Sequence, residues 1–183
     1  MRVVTQDRLG GPEVLHAGDA ERPNPSVGEI LVEVHAAGGN PVDAMQRQTG
    51  TFGAPPPFTL GWDVSGVVAA IGPGVTLYAP GDEVFGMLPF PRGAGAYAEF
   101  VVAPTRAFVR KPESLSHVEA AALPLAGLTA WQALVDTANV TAGTRVLLTG
   151  ASGGVGHLAL QIARSRGAHI VAVASGEIGR AHV

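Results

Sequence analysis

Cysteine is absent from the 183-residue chain, which excludes disulfides and every thiolate metal site. Aromatic residues are sparse at 5% and charged residues reach only 15%, yet hydrophobic residues make up 46%. A chain of that balance folds rather than staying disordered. Its length suits one large domain or two small ones. Basic charge is not in excess, since 12 Lys and Arg face 15 Asp and Glu for a net charge of −3. With no basic field, nucleic acid is not an expected partner. No stretch reaches the roughly 18–20 apolar residues of a membrane span. The opening Met1-Arg2-Val3-Val4-Thr5 lacks a long apolar run ending in a cleavage site. The expectation is a cytoplasmic protein with no membrane partner.

What the chain has in abundance is turns, with 25 Gly and 14 Pro. Up to about Glu113 short β-branched runs alternate with Gly and Pro, as in a strand-rich domain. Ile30–His35 and Asp63–Ile71 read as strands, with Val64, Gly66, Val68 and Ala70 on one face. A third strand opens after Gly81-Asp82, and a fourth is expected over Ala96–Val102. Pro41–Thr49 is the helical exception, Pro41 suiting a first helical turn.

Beyond Glu113 the pattern changes. Ser116 caps a short helix with Glu119 as its capping-box partner. Pro124 interrupts it, and a second helix runs through Trp131–Val135. Arg145–Thr149 reads as a short buried strand. After a glycine turn comes a helix with apolar Val155, Leu158, Ala159, Ile162 and Ala163, spaced as one buried face. Gly167 ends it, and His169–Ala174 is the next apolar strand. The whole is the size of one βαβ unit. The expected division is a β-rich domain over 1–115, the first part of a nucleotide-binding domain over 116–176, and a tail over 177–183. That tail, Glu177-Ile178-Gly179-Arg180-Ala181-His182-Val183, matches the translation of a common sequencing adapter and is read as non-native.

The turn Ala151-Ser152-Gly153-Gly154-Val155-Gly156 follows a strand and opens an amphipathic helix, the context a dinucleotide fingerprint requires. Gly153 and Gly154 let backbone approach a pyrophosphate, and Gly156 lets helix pack on strand. The helix N-terminus presents Ser152, Val155 and their neighbours as N–H donors with partial positive charge. Ala151 stands where the fingerprint has its first glycine. An NAD-type site usually ends its second strand with Asp or Glu on the ribose hydroxyls. Here the text is Val173-Ala174-Ser175-Gly176, with a Ser175 hydroxyl able to donate to a 2′-phosphate. NADP(H) is therefore the expected cofactor. The alternatives are an ordinary αβ corner and a plain turn serine.

Together with Gln161 and Arg164, that turn resembles the quinone oxidoreductase (zeta-crystallin-like) branch of the zinc-independent medium-chain dehydrogenase/reductase superfamily. Upstream motifs fall in the family's order: Gly10-Gly11-Pro12-Glu13-Val14-Leu15, Asn40-Pro41-Val42-Asp43, Gly61-Trp62-Asp63-Val64-Ser65-Gly66, Gly81-Asp82-Glu83-Val84, Gly95-Ala96-Tyr97-Ala98-Glu99 and Ala121-Ala122-Leu123-Pro124. The resemblance covers about Met1 to Ser175. It implies a GroES-like β-rich substrate domain followed by the opening βαβ part of a Rossmann domain, an α/β plus β fold class. It implies hydride transfer from NADPH to a quinone or α,β-unsaturated carbonyl in a cleft between the domains. The family chain is nearly twice as long, often a homodimer, and the present chain alone is expected to be inactive.

In zinc-using relatives the metal ligands fall at places that look like Asn40 and Trp62, neither a plausible ligand. Without a Lewis acid, charge developing on the substrate carbonyl needs a hydrogen-bond donor. Asn40 is the candidate, on that carbonyl or on the cofactor's ribose and amide, with Asp43 orienting it. A plain turn residue before Pro41 is the bland alternative for Asn40. Thr129 resembles the family's cofactor-contacting threonine. Met45 and Gln46 stand where many members carry tyrosine, so protonation from water is the simpler expectation. Phe52, Phe58 and Trp62 could wall a pocket for a flat substrate, or pack the core. The six histidines, none paired at i, i+4, read as solvated or satisfied imidazoles. Two rival functions remain: an enoyl-thioester reductase, and a non-catalytic NADPH-binding protein such as a redox sensor or structural crystallin.

Overall fold

The computed structural model describes residues 1–52, 55–91 and 94–175. The expected tail over 177–183 lies outside them. Two compact units form, Met1–Pro124 and Leu125–Val183.

In the first unit, β-branched runs pair into two antiparallel sheets. Strands β1 (Arg2–Gln6), β2 (His16–Asp19) and β4 (Phe58–Thr59) form one, in the order β2-β1-β4. The larger sheet joins β3 (Glu29–Ala37), β5 (Asp63–Ile71), β6 (Glu83–Met87), β7 (Phe100–Pro104) and β8 (Phe108–Arg110), in the order β7-β3-β5-β6-β8. Ile30, Val32, Val64, Val68 and Val84 interleave at its centre, each no more than 1% exposed. Burial of each such side chain contributes about 1.5–3 kcal/mol. Pairing of β3 with β5 slips at two bulges, between Leu31 and Val32 and between Val34 and Ala36.

Helix α1 (Pro41–Thr49) takes the bounds expected of it and ends at Gly50 in the left-handed region, φ 66°. Helix α2 (His117–Ala121) is capped as expected, with Ser116 Oγ accepting from the Glu119 N–H at 3.2 Å and the Glu119 carboxylate accepting from the Ser116 N–H at 2.8 Å. It packs on β3, β5 and β6. Gly38 approaches it so closely that an added Cβ would stand 2.3 Å from the Ala121 carbonyl oxygen. This packing places residues 116–121 with the first unit, whereas the sequence reading divides the chain between 115 and 116.

The strand expected over Ala96–Val102 begins instead at Phe100. The backbone before it is claimed elsewhere: the Ala96 and Tyr97 N–H groups donate to the carbonyls of Gly61 and Leu60, and Glu99 donates to Arg2. Side-chain periodicity cannot foresee that competition.

Helix α3 (Pro124–Trp131) begins on the last residue of the first unit, continues in the second and passes into a π-helical turn over Gln132–Thr137. Strand β9 (Arg145–Thr149), helix α4 (Gly154–Ser165) and strand β10 (His169–Val173) follow, with β9 and β10 parallel. Ala159 and Ala163 of α4 are buried against Ala130, Leu134 and Val140. Two expectations need correction here. Val155 is 38% exposed rather than on the buried face. Strand β9, read as buried, is not wholly so, since Leu147 is 67% exposed. Among the described residues this sheet has only two strands, and α4 packs against them.

Candidate functional site

The glycine corner joins β9 to α4. Gly150 adopts φ 65°, and its carbonyl accepts from the Gly153 N–H at 3.0 Å. The Ala151 N–H donates to the Val173 carbonyl at 3.0 Å, tying the corner to the end of β10 beside Ser175. At Gly156 an added Cβ would lie 2.1 Å from the Gly150 carbonyl oxygen, so only glycine lets α4 start this near the strand. At Gly154 an added Cβ would meet nothing within 4 Å. Among the described residues, the N–H groups of Ser152, Gly154, Val155 and Gly156 have no acceptor within the chain. Such a row of donors at a helix N-terminus is what a diphosphate requires. The donor set therefore fits a dinucleotide phosphate. Ser152, Gly153 and Gly154 are exposed, and so is Ser175.

In the first unit, Asn40 sits between β3 and α1. Its Nδ2 donates to Asp63 Oδ2 at 2.9 Å, and its backbone N–H donates to Asp43 Oδ2 at 2.7 Å. The other oxygen of Asp43 accepts from the Gly61 N–H at 3.0 Å. Tyr97 adds its hydroxyl to the same carboxylate. Asp43 and Asp63 are buried, at 5% and 1% exposure, while Asn40 keeps partial access to solvent. Burial pushes the Asp43 carboxyl above its usual range, against the hydrogen bonds from Asn40, Gly61 and Tyr97. Burial, with the adjacent Asp43 next, pushes the Tyr97 phenol up to about 12. Such a phenol is a hydrogen-bond donor and a poor acid.

The structure brings Asn40 and Asp43 together, and it brings Ser152–Gly156 together at one corner. Thr129 lies in α3, exposed, with its Oγ1 donating to the Leu125 carbonyl at 2.7 Å. That bond commits the hydroxyl proton and leaves the oxygen free to accept. The expected aromatic wall is rearranged. Phe52 and Trp62 each pack against Phe90, with ring centroids 5.3 Å apart in both pairs. Phe58 lies in β4, paired with Gln6 of β1.

His117 is a satisfied imidazole as expected, its Nδ1 2.8 Å from Ser65 Oγ. Its ring packs against His35 with centroids 4.6 Å apart. Among the described residues, no three His, Asp or Glu side chains converge as a metal site needs.

Three residues of these clusters escaped the sequence reading in this role: Asp63, Phe90 and Tyr97. Asp63 and Tyr97 each stood inside a quoted motif, but their partners lie 23 and 54 positions away, at Asn40 and Asp43. A sharper signal was available in the composition of the motif itself, because an Asp inside an apolar strand requires a buried partner.

An alcohol dehydrogenase GroES-like domain matches residues 26–113. The quinone oxidoreductase of Homo sapiens is 40% identical over 183 residues, a match covering 98% of this chain and 54% of that relative. The structure of the quinone oxidoreductase from Coxiella burnetii is 38% identical with a TM-score of 0.86, covering 96% of this chain and 56% of that one. The quinone oxidoreductase of Escherichia coli complexed with NADPH is 30% identical with a TM-score of 0.85, over 97% of this chain and 54% of that one. The chain thus spans about half the length of the curated relatives it matches. With a GroES-like first domain and this extent of likeness, the chain is similar to quinone oxidoreductases over nearly all of its own length.

Proposed function

We propose that this chain supplies the substrate domain and the opening Rossmann segment of a zinc-independent, NADPH-dependent reductase acting on quinones or α,β-unsaturated carbonyls. The observation that carries the reading is the row of N–H groups at Ser152, Gly154, Val155 and Gly156 that are unpaired among the described residues, beside a strand end reading Val173-Ala174-Ser175. Those groups would hold the cofactor's diphosphate, and the Ser175 hydroxyl would donate to a 2′-phosphate. NADPH, when bound, supplies the hydride. Asn40 holds a carbonyl or a ribose hydroxyl through its carboxamide, and Asp43 fixes the backbone from which Asn40 projects. Thr129 offers an acceptor oxygen to the cofactor. Asn40 and Trp62 stand at the places that look like metal-ligand positions, so a hydrogen bond must do the work of polarising the substrate. Water supplies the proton, as the Tyr97 phenol beside Asp43 is a poor acid.

The test uses a full-length version carrying its own downstream sequence. Purified protein should oxidise NADPH in the presence of quinones or enones. Ala174→Asp should move the preference toward NADH, because the new carboxylate repels a 2′-phosphate. Turnover only with an enoyl thioester would favour that reductase class instead. Tight NADPH binding with no oxidation across the panel would mark a non-catalytic binder. An unchanged NADPH/NADH ratio in Ala174→Asp would refute the role given to the end of β10.

A further inference from the structure

We infer that Asp63 is the positioning residue that fixes which face of the Asn40 carboxamide is offered to a ligand, an inference that rests on the cofactor- or substrate-holding role proposed for Asn40. Asp63 grips the Gly38–Asn40 loop at two points. Its backbone carbonyl accepts from the Gly38 N–H at 3.0 Å, and its Oδ2 accepts from Asn40 Nδ2 at 2.9 Å. It does so from the first position of β5, where its backbone is paired with Met87 and its side chain is 1% exposed. The anchor is therefore rigid.

The chemistry of the pair is one-directional. A carboxylate only accepts hydrogen bonds, whereas a carboxamide has a donor end and an acceptor end of nearly equal shape. Facing Asp63, the Asn40 amide must turn its NH2 inward. That leaves a single N–H, and the Oδ1 lone pair not turned to the Asp43 N–H, for whatever binds. Asp43 supports the same orientation from the helix side, with its carboxylate on the Asn40 backbone N–H and its own backbone N–H turned to the Asn40 side chain in a capping box. Asp63 thus decides between a ligand that donates to Oδ1, such as a ribose hydroxyl or nicotinamide amide, and one that needs two donors.

A reciprocal exchange separates positioning from mere support. In Asp63→Asn the partner can both donate and accept, so the Asn40 amide is free to turn over. In Asn40→Asp two carboxylates meet. The double variant Asn40→Asp/Asp63→Asn restores one amide–carboxylate bond with its polarity reversed. Each is prepared in the full-length version and measured for melting temperature, NADPH dissociation constant and kcat/KM. The double variant should recover the melting temperature lost in Asn40→Asp while kcat/KM stays at least ~10-fold below wild type. Asp63→Asn should lose ~10-fold in kcat/KM with little change in melting temperature.

Recovery of activity together with stability in the double variant, or wild-type kcat/KM in Asp63→Asn, overturns the inference. Wild-type protein without turnover would sink the reductase reading itself. The Asn40 Nδ2 protons, followed by NMR in the 183-residue chain, then decide the positioning claim. One slowly exchanging proton in wild type that becomes fast in Asp63→Asn upholds it. Equal exchange in the two proteins overturns it.

Discussion

Strand β5 of the first unit and strand β9 of the second are both apolar runs, and they meet different fates. In β5 the residues Asp63, Val64, Ser65 and Gly66 are all buried, and Val64 is fully enclosed. In β9 exposure alternates along the strand, and Leu147 is 67% exposed. The difference does not come from hydrophobicity, since Leu147 is as apolar as anything in β5. It comes from neighbours. Strand β5 has a partner on each side and α2 against it. Among the described residues, strand β9 pairs with β10 alone, and α4 packs on them. Burial is a property of the assembly of elements, and the run of residues only makes it available.

The contrast can be broken by substitution. Ile30→Ala in the enclosed sheet should cost about 2–5 kcal/mol, through lost burial and the cavity left behind. Hydrogen exchange read separately over each unit should show protection lost across β3, β5 and β6. A cost below ~1 kcal/mol would mean the sheet is less tightly closed than its burial states. Gly156→Ala should cost about 1–3 kcal/mol, because its Cβ meets backbone that cannot give way. Protection in β9 and α4 should fall while the first unit keeps its own. A variant as protected as wild type would refute the close approach of α4 to Gly150.

The next effect is one of pH. Burial holds the His117 imidazole below its usual value of 6.5, with the adjacent His35 in support and Glu83 opposing. The groups around it are Ser65 of β5, His35 of β3, Glu83 of β6, and Lys111, which is bound to Glu83 at 2.9 Å. The folded state therefore favours neutral His117, while the unfolded chain takes up its proton first as pH falls through about 6.5. This contribution to stability is present above that pH and fades below it, until the folded imidazole protonates too. Melting temperature followed from pH 7.5 downward should fall less steeply in His117→Asn than in wild type. Parallel curves would show that His117 does not carry the slope.

The smallest effect is expected at Leu147→Thr, within about 0.5 kcal/mol, because this side chain stands largely in solvent. A loss of 2 kcal/mol or more would mean that the face is covered in solution.

Much of the architecture could be read from residue order. The bounds of α1 and of β5, the Ser116–Glu119 cap and the strand–turn–helix–strand of the second unit all follow from local chemistry and are present in the fold. Each depends on residues within a few positions of one another. The errors arose where distant backbone competed. Ala96–Glu99 reads as strand but is bonded to Gly61, Leu60 and Arg2. Strand β9 reads as buried because its composition is that of a buried strand. Within the candidate site, the glycine corner was legible because its φ and close-packing demands leave few residue types. The support beneath Asn40 was not. Nothing in the spacing of Asn40, Asp43, Asp63 and Tyr97 announces that they share one hydrogen-bonded cluster.

The central claim is that the corner near Gly153 seats a diphosphate, and Gly154 allows it to be tested without disturbing the fold. The chain leaves open space where a Cβ at 154 would project. A valine there should leave the melting temperature of a full-length version unchanged, while its Cβ and methyl groups invade the ground a phosphate would take. Titration with NADPH should give a dissociation constant at least ~10-fold weaker for Gly154→Val than for wild type, equivalent to about 1.4 kcal/mol. Equal affinity in the two proteins, with the fold intact, would contradict the assignment.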